Sequence, residues 1–181
     1  RALEPWSIPQ QCRSLPEAVG AAISAAGFGC ATAESCTGGL LGGALTEVPG
    51  ASLWYAGGWV TYSNEMKIRQ LGVPADLLEP GGPGAVSAEV VEAMARGARA
   101  SSGADIAVSV SGVAGPQGGT AEKPVGMVWI GLSDAEGTTA RRILAPGDRQ
   151  RIRAATIEAA LQWLRFRVSV VDAALPWERT E

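Results

Sequence analysis

The chain has 181 residues, of which 46% are hydrophobic, and this is enough apolar sequence for one domain with a substantial buried core. Its formal net charge of -3 argues against a nucleic-acid or anionic-membrane partner, because both require a basic surface. We therefore expect a small-molecule ligand or a protein partner.

The sequence also bears on compartment and metal content. No apolar run approaches the roughly 20 residues of a membrane span, and the opening "RALEPWSIPQQ" lacks the apolar core of a signal peptide, which predicts a cytoplasmic protein. Cys12, Cys30 and Cys36 are odd in number, have no C-x-x-C spacing, and are accompanied by no histidine. We therefore predict reduced thiols, no bound metal and no cofactor.

The first third of the chain predicts a helix, a strand and a second helix. Ser14 and Glu17 form a capping box that starts a helix ending at Gly27, and "GCATA" then predicts a short buried strand. The following "CTGGLLGGALTEV" has helical spacing despite its glycines, which we expect to allow close packing against neighbouring backbone. This interpretation places Ser35 at or near a helix N-terminus.

The middle of the chain alternates strand and helix patterns. The run "LWYAGGWVTYS" is β-rich, and "SNEMKIRQLG" predicts a short helix capped by Ser63 and closed by Gly72. The segment "EPGGPGAV" is a predicted loop. Ser87 is then expected to cap a long helix that continues through Ala100.

The last third contains three predicted strands, "DIAVSVSG", "GMVWIGLSD" and "TTARRILAP", the last two joined by a turn at Glu136-Gly137. A final helix is expected from about Asp148 to Val168. The mixed order predicts an α/β fold, a three-layer α/β/α sandwich with a mixed central sheet. We expect an N-terminal extension over 1–13, one domain over 14–168 and a C-terminal tail over 169–181.

The absence of histidine excludes a Ser-His-Asp triad and its Cys-His relatives, so any nucleophile needs another base. The chain has only two lysines, Lys67 and Lys123. With Ser63 as N-cap, Tyr62 and Lys67 occupy the two positions of a hydrophobic staple, so their side chains are expected to touch. Desolvation and the positive end of the helix dipole then favour the neutral amine, a competent general base. The alternative is a solvated lysine beside an aromatic residue at the sheet edge.

Ser35 is a candidate nucleophile in "TAESCTGG", with a plain helix cap as the alternative. The backbone N–H groups that follow it predict an oxyanion or phosphate site formed by Cys36, Thr37, Gly38 and Gly39. Cys36 is the rival nucleophile, since a helix N-terminus lowers a thiol pKa; its alternative role is a small buried apolar residue.

A glycine-rich segment, "SGVAGPQGGTAEKPVG", follows the buried strand at the position where open α/β sheets bind ligands. It matches neither the P-loop nor the dinucleotide fingerprint, so it indicates an anion- or nucleotide-contacting loop or a structural loop. Arg149 and Arg153, four residues apart in the final helix, form a possible phosphate clamp; the alternative is a solvated helix face.

Several stretches together resemble one family: "TAESCTGGLL", "GGWVTYSNEMKIRQLGV", "GAVSAEV", "SGVAGPQGGTAEKPVG" and "GDRQRIR". In this order and spacing they resemble the C-terminal domain of the competence/damage-inducible CinA family, the nicotinamide mononucleotide deamidases. The resemblance implies hydrolysis of nicotinamide mononucleotide to nicotinate mononucleotide and ammonia, in pyridine nucleotide recycling. It places the family's catalytic serine, tyrosine and lysine on Ser35, Tyr62 and Lys67.

The expected reaction assigns roles to the remaining candidates. Ser35 attacks the carboxamide, Lys67 accepts its proton, and Tyr62 relays a proton to the departing ammonia. The expected substrate-binding residues are Gly112, Ala114, Gly115, Gly118, Gly119, Thr120 and Arg149. We expect a small-molecule nucleotide substrate and a homodimer or higher homo-oligomer. The alternative function is a non-catalytic nucleotide-binding or regulatory module.

Overall fold

The computed structural model describes residues 14–169. These residues form five α-helices and five β-strands in the order α1 (Ser14–Ala26), β1 (Cys30–Glu34), α2 (Leu40–Thr46), β2 (Tyr55–Val60), α3 (Asn64–Leu71), α4 (Ala88–Ser102), β3 (Ile106–Gly112), β4 (Met127–Asp134), β5 (Gly137–Leu144) and α5 (Arg149–Ser169). Single turns of 3₁₀-helix at Ala51–Leu53 and Ala75–Leu77 complete the described elements.

The five strands form one mixed sheet in the order β2-β1-β3-β4-β5. β1 pairs in parallel with β2 on one side and with β3 on the other, whereas β3, β4 and β5 pair antiparallel. β1 is buried along its whole length, which fits its place between two parallel neighbours. The carboxyl ends of β1, β2 and β3 therefore meet at one edge of the sheet.

Helices cover both faces of this sheet. On one face, α1, α2 and α5 bury a core that includes Ile23, Leu41 and Leu161 against β1, β3 and β4. On the other face, α3 and α4 pack a smaller core, with Leu71 and Met94 against alanines of β1 and β3. The predicted α/β/α sandwich with a mixed central sheet is confirmed.

Local capping signals set several helix ends. The Ser63 and Ser87 hydroxyls accept hydrogen bonds from the backbone N–H groups of Met66 and Val90, so both predicted N-caps are confirmed. Gly72 closes α3 in the left-handed conformation, as predicted. The turn between β4 and β5 lies one residue earlier than expected, at 135–136.

The predicted N-terminal extension 1–13 and residues 170–181 of the predicted tail 169–181 lie outside the described residues, whereas Ser169 is the last residue of α5. Within residues 14–169, no helix combines the length and the apolar character that crossing a bilayer requires.

Candidate active site

Ser35 follows β1 directly, at the sheet edge where the parallel strands end. Its backbone N–H donates to the carbonyl of Val110 in β3 at 3.0 Å. On the other side, the N–H of Thr61 donates to the Glu34 carbonyl at 2.8 Å, which extends the β1–β2 ladder by one residue. The backbone around Ser35 is therefore fixed by both neighbouring strands.

The segment after Ser35 is a turn rather than the first turn of a helix. We expected Ser35 at or near a helix N-terminus; α2 begins only at Leu40 with Gly39 as its N-cap, so Ser35 lies near the helix but does not start it. Gly38 and Gly39 have φ angles of 63° and 94°, a left-handed backbone that continues no α-helix. Farther on, Gly42 packs closely against side chains rather than against the neighbouring backbone that we expected, because a Cβ there would lie 2.6 Å from the Tyr55 hydroxyl.

The buried carboxylate of Glu34 organises this turn, and no sequence pattern predicted that role. The side chain is 2% exposed, and its Oε2 accepts hydrogen bonds from the Thr37 hydroxyl at 2.6 Å and from the N–H of Gly39 at 2.9 Å. The N–H groups of Leu41 and Gly42 donate to the same carboxylate at 3.0 and 2.7 Å. The feature of the sequence that could have indicated this role is an acidic residue at the end of a strand that is otherwise predicted to be buried.

Ser35 and Lys67 lie within hydrogen-bond distance. The Lys67 ammonium nitrogen is 3.2 Å from Ser35 Oγ and donates to the Thr61 carbonyl at 2.8 Å. The Lys67 side chain is only 1% exposed. Burial lowers the pKa of Lys67 from its ordinary value, in the direction expected from the sequence. The lowered pKa makes the neutral, proton-accepting form of Lys67 easier to reach than in an exposed lysine.

Tyr62 lies at the surface of the same region. It is 60% exposed, and its hydroxyl accepts a hydrogen bond from Arg149 Nη2 at 3.0 Å. In the described part of the chain no hydrogen bond joins Tyr62 to Lys67, and their expected side-chain contact stays a prediction. A pair that sequence spacing did not predict, Tyr62 and Arg149, connects the start of α3 to the start of α5.

Cys36 occupies a different environment from Ser35. Its side chain is 5% exposed, and burial raises the pKa of the Cys36 thiol to about 12. The thiol therefore stays protonated near neutral pH, whereas a strong thiol nucleophile must ionise. Of the two adjacent candidates, the half-buried Ser35 hydroxyl is the better placed for attack.

The four candidate oxyanion N–H groups divide into two pairs. The N–H of Gly38 donates to the Ser35 carbonyl at 3.1 Å, and the N–H of Gly39 donates to Glu34. The N–H groups of Cys36 and Thr37 donate to no other residue among those described. Only this second pair is available to a negatively charged oxygen beside Ser35.

The glycine-rich segment between β3 and β4 reaches this site through Arg149. Nη1 of Arg149 donates to the Gly115 carbonyl at 3.0 Å while Nη2 binds Tyr62. Ala114 and Gly115 are buried, and Gly112 is the last residue of β3. Arg149 is exposed and holds the loop next to the tyrosine.

The distal half of the loop is more open. Thr120 is engaged within it, because its N–H donates to the Lys123 carbonyl and its hydroxyl accepts from the Lys123 N–H, both at 3.0 Å. The N–H groups of Gly118 and Gly119 have no partner within residues 14–169. These two glycines retain the donors that a phosphate would require.

Arg153 does not pair with Arg149 in a common clamp. Its Nη2 donates to the Thr37 carbonyl at 2.7 Å, so it holds the turn after Ser35. Its Nε is buried without a partner in the described region. The two arginines that sequence spacing grouped together therefore contact different parts of the site.

The described residues contain no cluster of three or more cysteine, aspartate or glutamate side chains suited to a metal ion. Cys30 and Cys36 are both buried free thiols.

The chain that carries this serine, buried lysine and glycine-rich loop at one sheet edge belongs to a known protein family. The family described as the CinA C-terminal domain matches residues 12–168, and the chain belongs to that family. The nicotinamide-nucleotide amidohydrolase PncC of Pseudomonas putida is 56% identical over 74% of this chain and 82% of its own length.

Other relatives are longer or have known structures. A CinA-like protein of Geotalea daltonii is 55% identical, and the matched region covers 74% of this chain but only 32% of that relative. The chain thus spans about a third of the length of such CinA-like relatives. The crystal structure of the competence/damage inducible protein CihA from Agrobacterium tumefaciens superposes with a TM-score of 0.84 at 38% identity, over 91% of this chain and 99% of that one.

Proposed function

We propose that this protein hydrolyses the carboxamide of nicotinamide mononucleotide, giving nicotinate mononucleotide and ammonia. The observation that carries the proposal is the 3.2 Å approach of the buried Lys67 amine to Ser35 Oγ in a chain without histidine. The 56% identity to a nicotinamide-nucleotide amidohydrolase supports the substrate class.

In the proposed acylation step, neutral Lys67 accepts the Ser35 proton as Oγ attacks the carboxamide carbon. The oxyanion receives hydrogen bonds from the N–H groups of Cys36 and Thr37. Such donors are typically worth about 2.7 to 4 kcal/mol each in the transition state. The C–N bond then breaks, and the nitrogen leaves as ammonia with the proton taken from Ser35.

In the proposed mechanism Tyr62 relays this proton. Its oxygen accepts a hydrogen bond from Arg149, which leaves the phenolic hydrogen free for a different acceptor. In the proposed mechanism the departing nitrogen takes this hydrogen, and the proton that Lys67 took from Ser35 replaces it on Tyr62. Lys67, neutral again, then accepts a proton from the water that attacks the acyl carbon. It returns this proton to Ser35 Oγ as the bond between Oγ and the acyl carbon breaks and the carboxylic acid is released.

The nucleotide part of the substrate would lie along the glycine-rich loop. The proposed contacts are Gly112, Ala114, Gly115, Gly118, Gly119, Thr120 and Arg149. The unpartnered N–H groups of Gly118 and Gly119 and the exposed Arg149 guanidinium supply donors and positive charge for a phosphate. The backbone N–H of Thr120 is not available to the phosphate, because it already donates to the Lys123 carbonyl. The proposed contribution of Thr120 is its position in the turn.

Ammonia release from nicotinamide mononucleotide tests the proposal. Purified protein is mixed with this nucleotide, with nicotinamide riboside and with nicotinamide, and ammonia is measured by a coupled assay. We expect turnover of the mononucleotide that is lost in Ser35→Ala, and weaker turnover of the two compounds without phosphate. Binding of the mononucleotide without ammonia release would instead indicate a non-catalytic nucleotide-binding or regulatory module.

The same family membership motivates the cellular setting of the proposal. The protein acts in the cytoplasm in pyridine nucleotide recycling, as a homodimer or higher homo-oligomer. Light scattering on the purified protein measures the assembled mass directly.

A further inference from the structure

We propose that Glu34 is a positioning residue that holds the turn after Ser35 in its reactive shape. The inference rests on the proposed function, since it concerns the nucleophile of that reaction. It assigns to Glu34 no contact with the substrate.

The Glu34 carboxylate bridges the turn and the helix that follows. One oxygen accepts from the Thr37 hydroxyl and from the N–H groups of Gly39 and Leu41, and the other accepts from Gly42. All four donors lie within eight residues of Glu34 along the chain. The side chain thus takes the place of the missing helical hydrogen bonds at the start of α2, and no external anion is needed there.

This arrangement determines which N–H groups remain available. Because Glu34 captures the N–H of Gly39 and the N–H of Gly38 bonds to the Ser35 carbonyl, the turn is closed. The N–H groups of Cys36 and Thr37 have no other partner among the described residues and follow Ser35 directly in the chain. Loss of the carboxylate would release the turn and misalign these two donors.

The backbone of Glu34 also connects the nucleophile to its base. The Glu34 carbonyl accepts from the Thr61 N–H at 2.8 Å, and the Thr61 carbonyl accepts from Lys67 Nζ, also at 2.8 Å. A second charged group, Arg153, holds the opposite side of the turn through the Thr37 carbonyl. The turn is therefore fixed between a carboxylate from β1 and a guanidinium from α5.

The test uses Glu34→Gln, which keeps the shape of the side chain but replaces one acceptor oxygen with a donor. The new amide would face N–H groups, so at least one of the four hydrogen bonds is lost. Asp105→Asn is the matched control, since Asp105 is a carboxylate that accepts a backbone N–H, that of Gly29, at the opposite edge of the sheet. Both variants are measured for thermal stability, kcat and KM with nicotinamide mononucleotide.

A second readout is independent of the substrate. Phenylmethylsulfonyl fluoride reacts with a serine through an S–O bond formed as the S–F bond breaks, with fluoride leaving and the serine proton passing to the base. The rate of this modification at Ser35 is followed by intact mass, with Ser35→Ala as the blank.

We expect Glu34→Gln to lower kcat and the rate of Ser35 sulfonylation together by about 10- to 100-fold, with KM changed little. Glu34→Asp, which retains the charge, should recover part of both rates, and Asp105→Asn should leave both unchanged. If Glu34→Gln does not fold, Thr37→Val removes a single hydrogen bond and should reduce both rates to a smaller extent.

Normal kcat and normal sulfonylation in a folded Glu34→Gln or Thr37→Val protein would overturn the inference, even if the melting temperature fell. A wild-type protein whose Ser35 reacts with the sulfonyl fluoride but which releases no ammonia would refute the proposed substrate alone. Unreactive Ser35 in the wild type would overturn both proposals.

Discussion

Ser35 Oγ and Lys67 Nζ are 3.2 Å apart although the two residues are 32 positions apart in the chain. Ser35 follows β1 and Lys67 lies in α3, which packs on the opposite face of the sheet from α2. The Lys67 side chain therefore approaches Ser35 from the face of the sheet that α3 covers, and it is buried there.

Ser35→Ala and Cys36→Ala separate the two adjacent nucleophile candidates. We expect Ser35→Ala to lose at least about 1,000-fold in ammonia release. Cys36→Ala should keep most of the activity, because burial raises the pKa of its thiol to about 12 and little thiolate exists at neutral pH. The reverse pattern would identify a thiol amidase.

Lys67→Arg tests the base, and Lys123→Arg is the matched control among the two lysines. An arginine stays protonated at any practical pH and cannot accept the serine proton, so kcat should fall by about 100-fold or more. Lys123 donates to the Pro83 carbonyl, a bond that an arginine also makes, so Lys123→Arg should remain active. Full activity in Lys67→Arg would exclude the proposed mechanism.

The pH dependence of activity has a definite sign. Burial lowers the pKa of Lys67, and the base must be unprotonated to act. We expect kcat to rise with pH through this lowered pKa and to level off above it. A kcat–pH profile of the wild type measures this rise. A profile that falls over the same range would contradict the assignment of Lys67 as the base.

The lowered pKa of Lys67 also predicts how the free energy of unfolding depends on pH. Its pKa is lower in the folded than in the unfolded chain, so between the two values the unfolded chain binds more protons. The unfavourable contribution of the buried ammonium should therefore diminish as pH rises from the folded pKa toward the ordinary 10.5. Urea denaturation at several pH values should show wild type gaining free energy of unfolding relative to Lys67→Met across this interval. An unchanged difference would mean that Lys67 titrates normally.

Tyr62→Phe removes the proposed proton relay, and the only other tyrosine supplies its control. We expect kcat to fall by about 100-fold in Tyr62→Phe. The Tyr55 hydroxyl forms a hydrogen bond with the Thr32 hydroxyl at 2.7 Å, between β1 and β2. Tyr55→Phe should therefore affect stability rather than turnover. Equal loss of kcat in both variants would argue against a specific role for Tyr62.

Much of the local structure could be predicted from the sequence because its signals are local. Ser63 and Ser87 precede their helices, Gly72 ends one, and the strands are marked by apolar runs. The lack of histidine, in a chain with only two lysines, is a property of composition, and together with the position of Ser63 as N-cap it indicates Lys67 as a candidate base.

The tertiary structure decided what those residues contact. Helical spacing after Ser35 did not reveal the turn at 35–39, because Glu34 supplies from β1 the acceptors that a regular helix would have provided itself. Arg149 and Arg153 are separated for a related reason, since one meets the glycine-rich loop and Tyr62, and the other the Thr37 carbonyl. Periodicity and capping act over a few residues, whereas contacts such as Ser35–Lys67 and Arg153–Thr37 depend on how strands and helices far apart in the chain pack together.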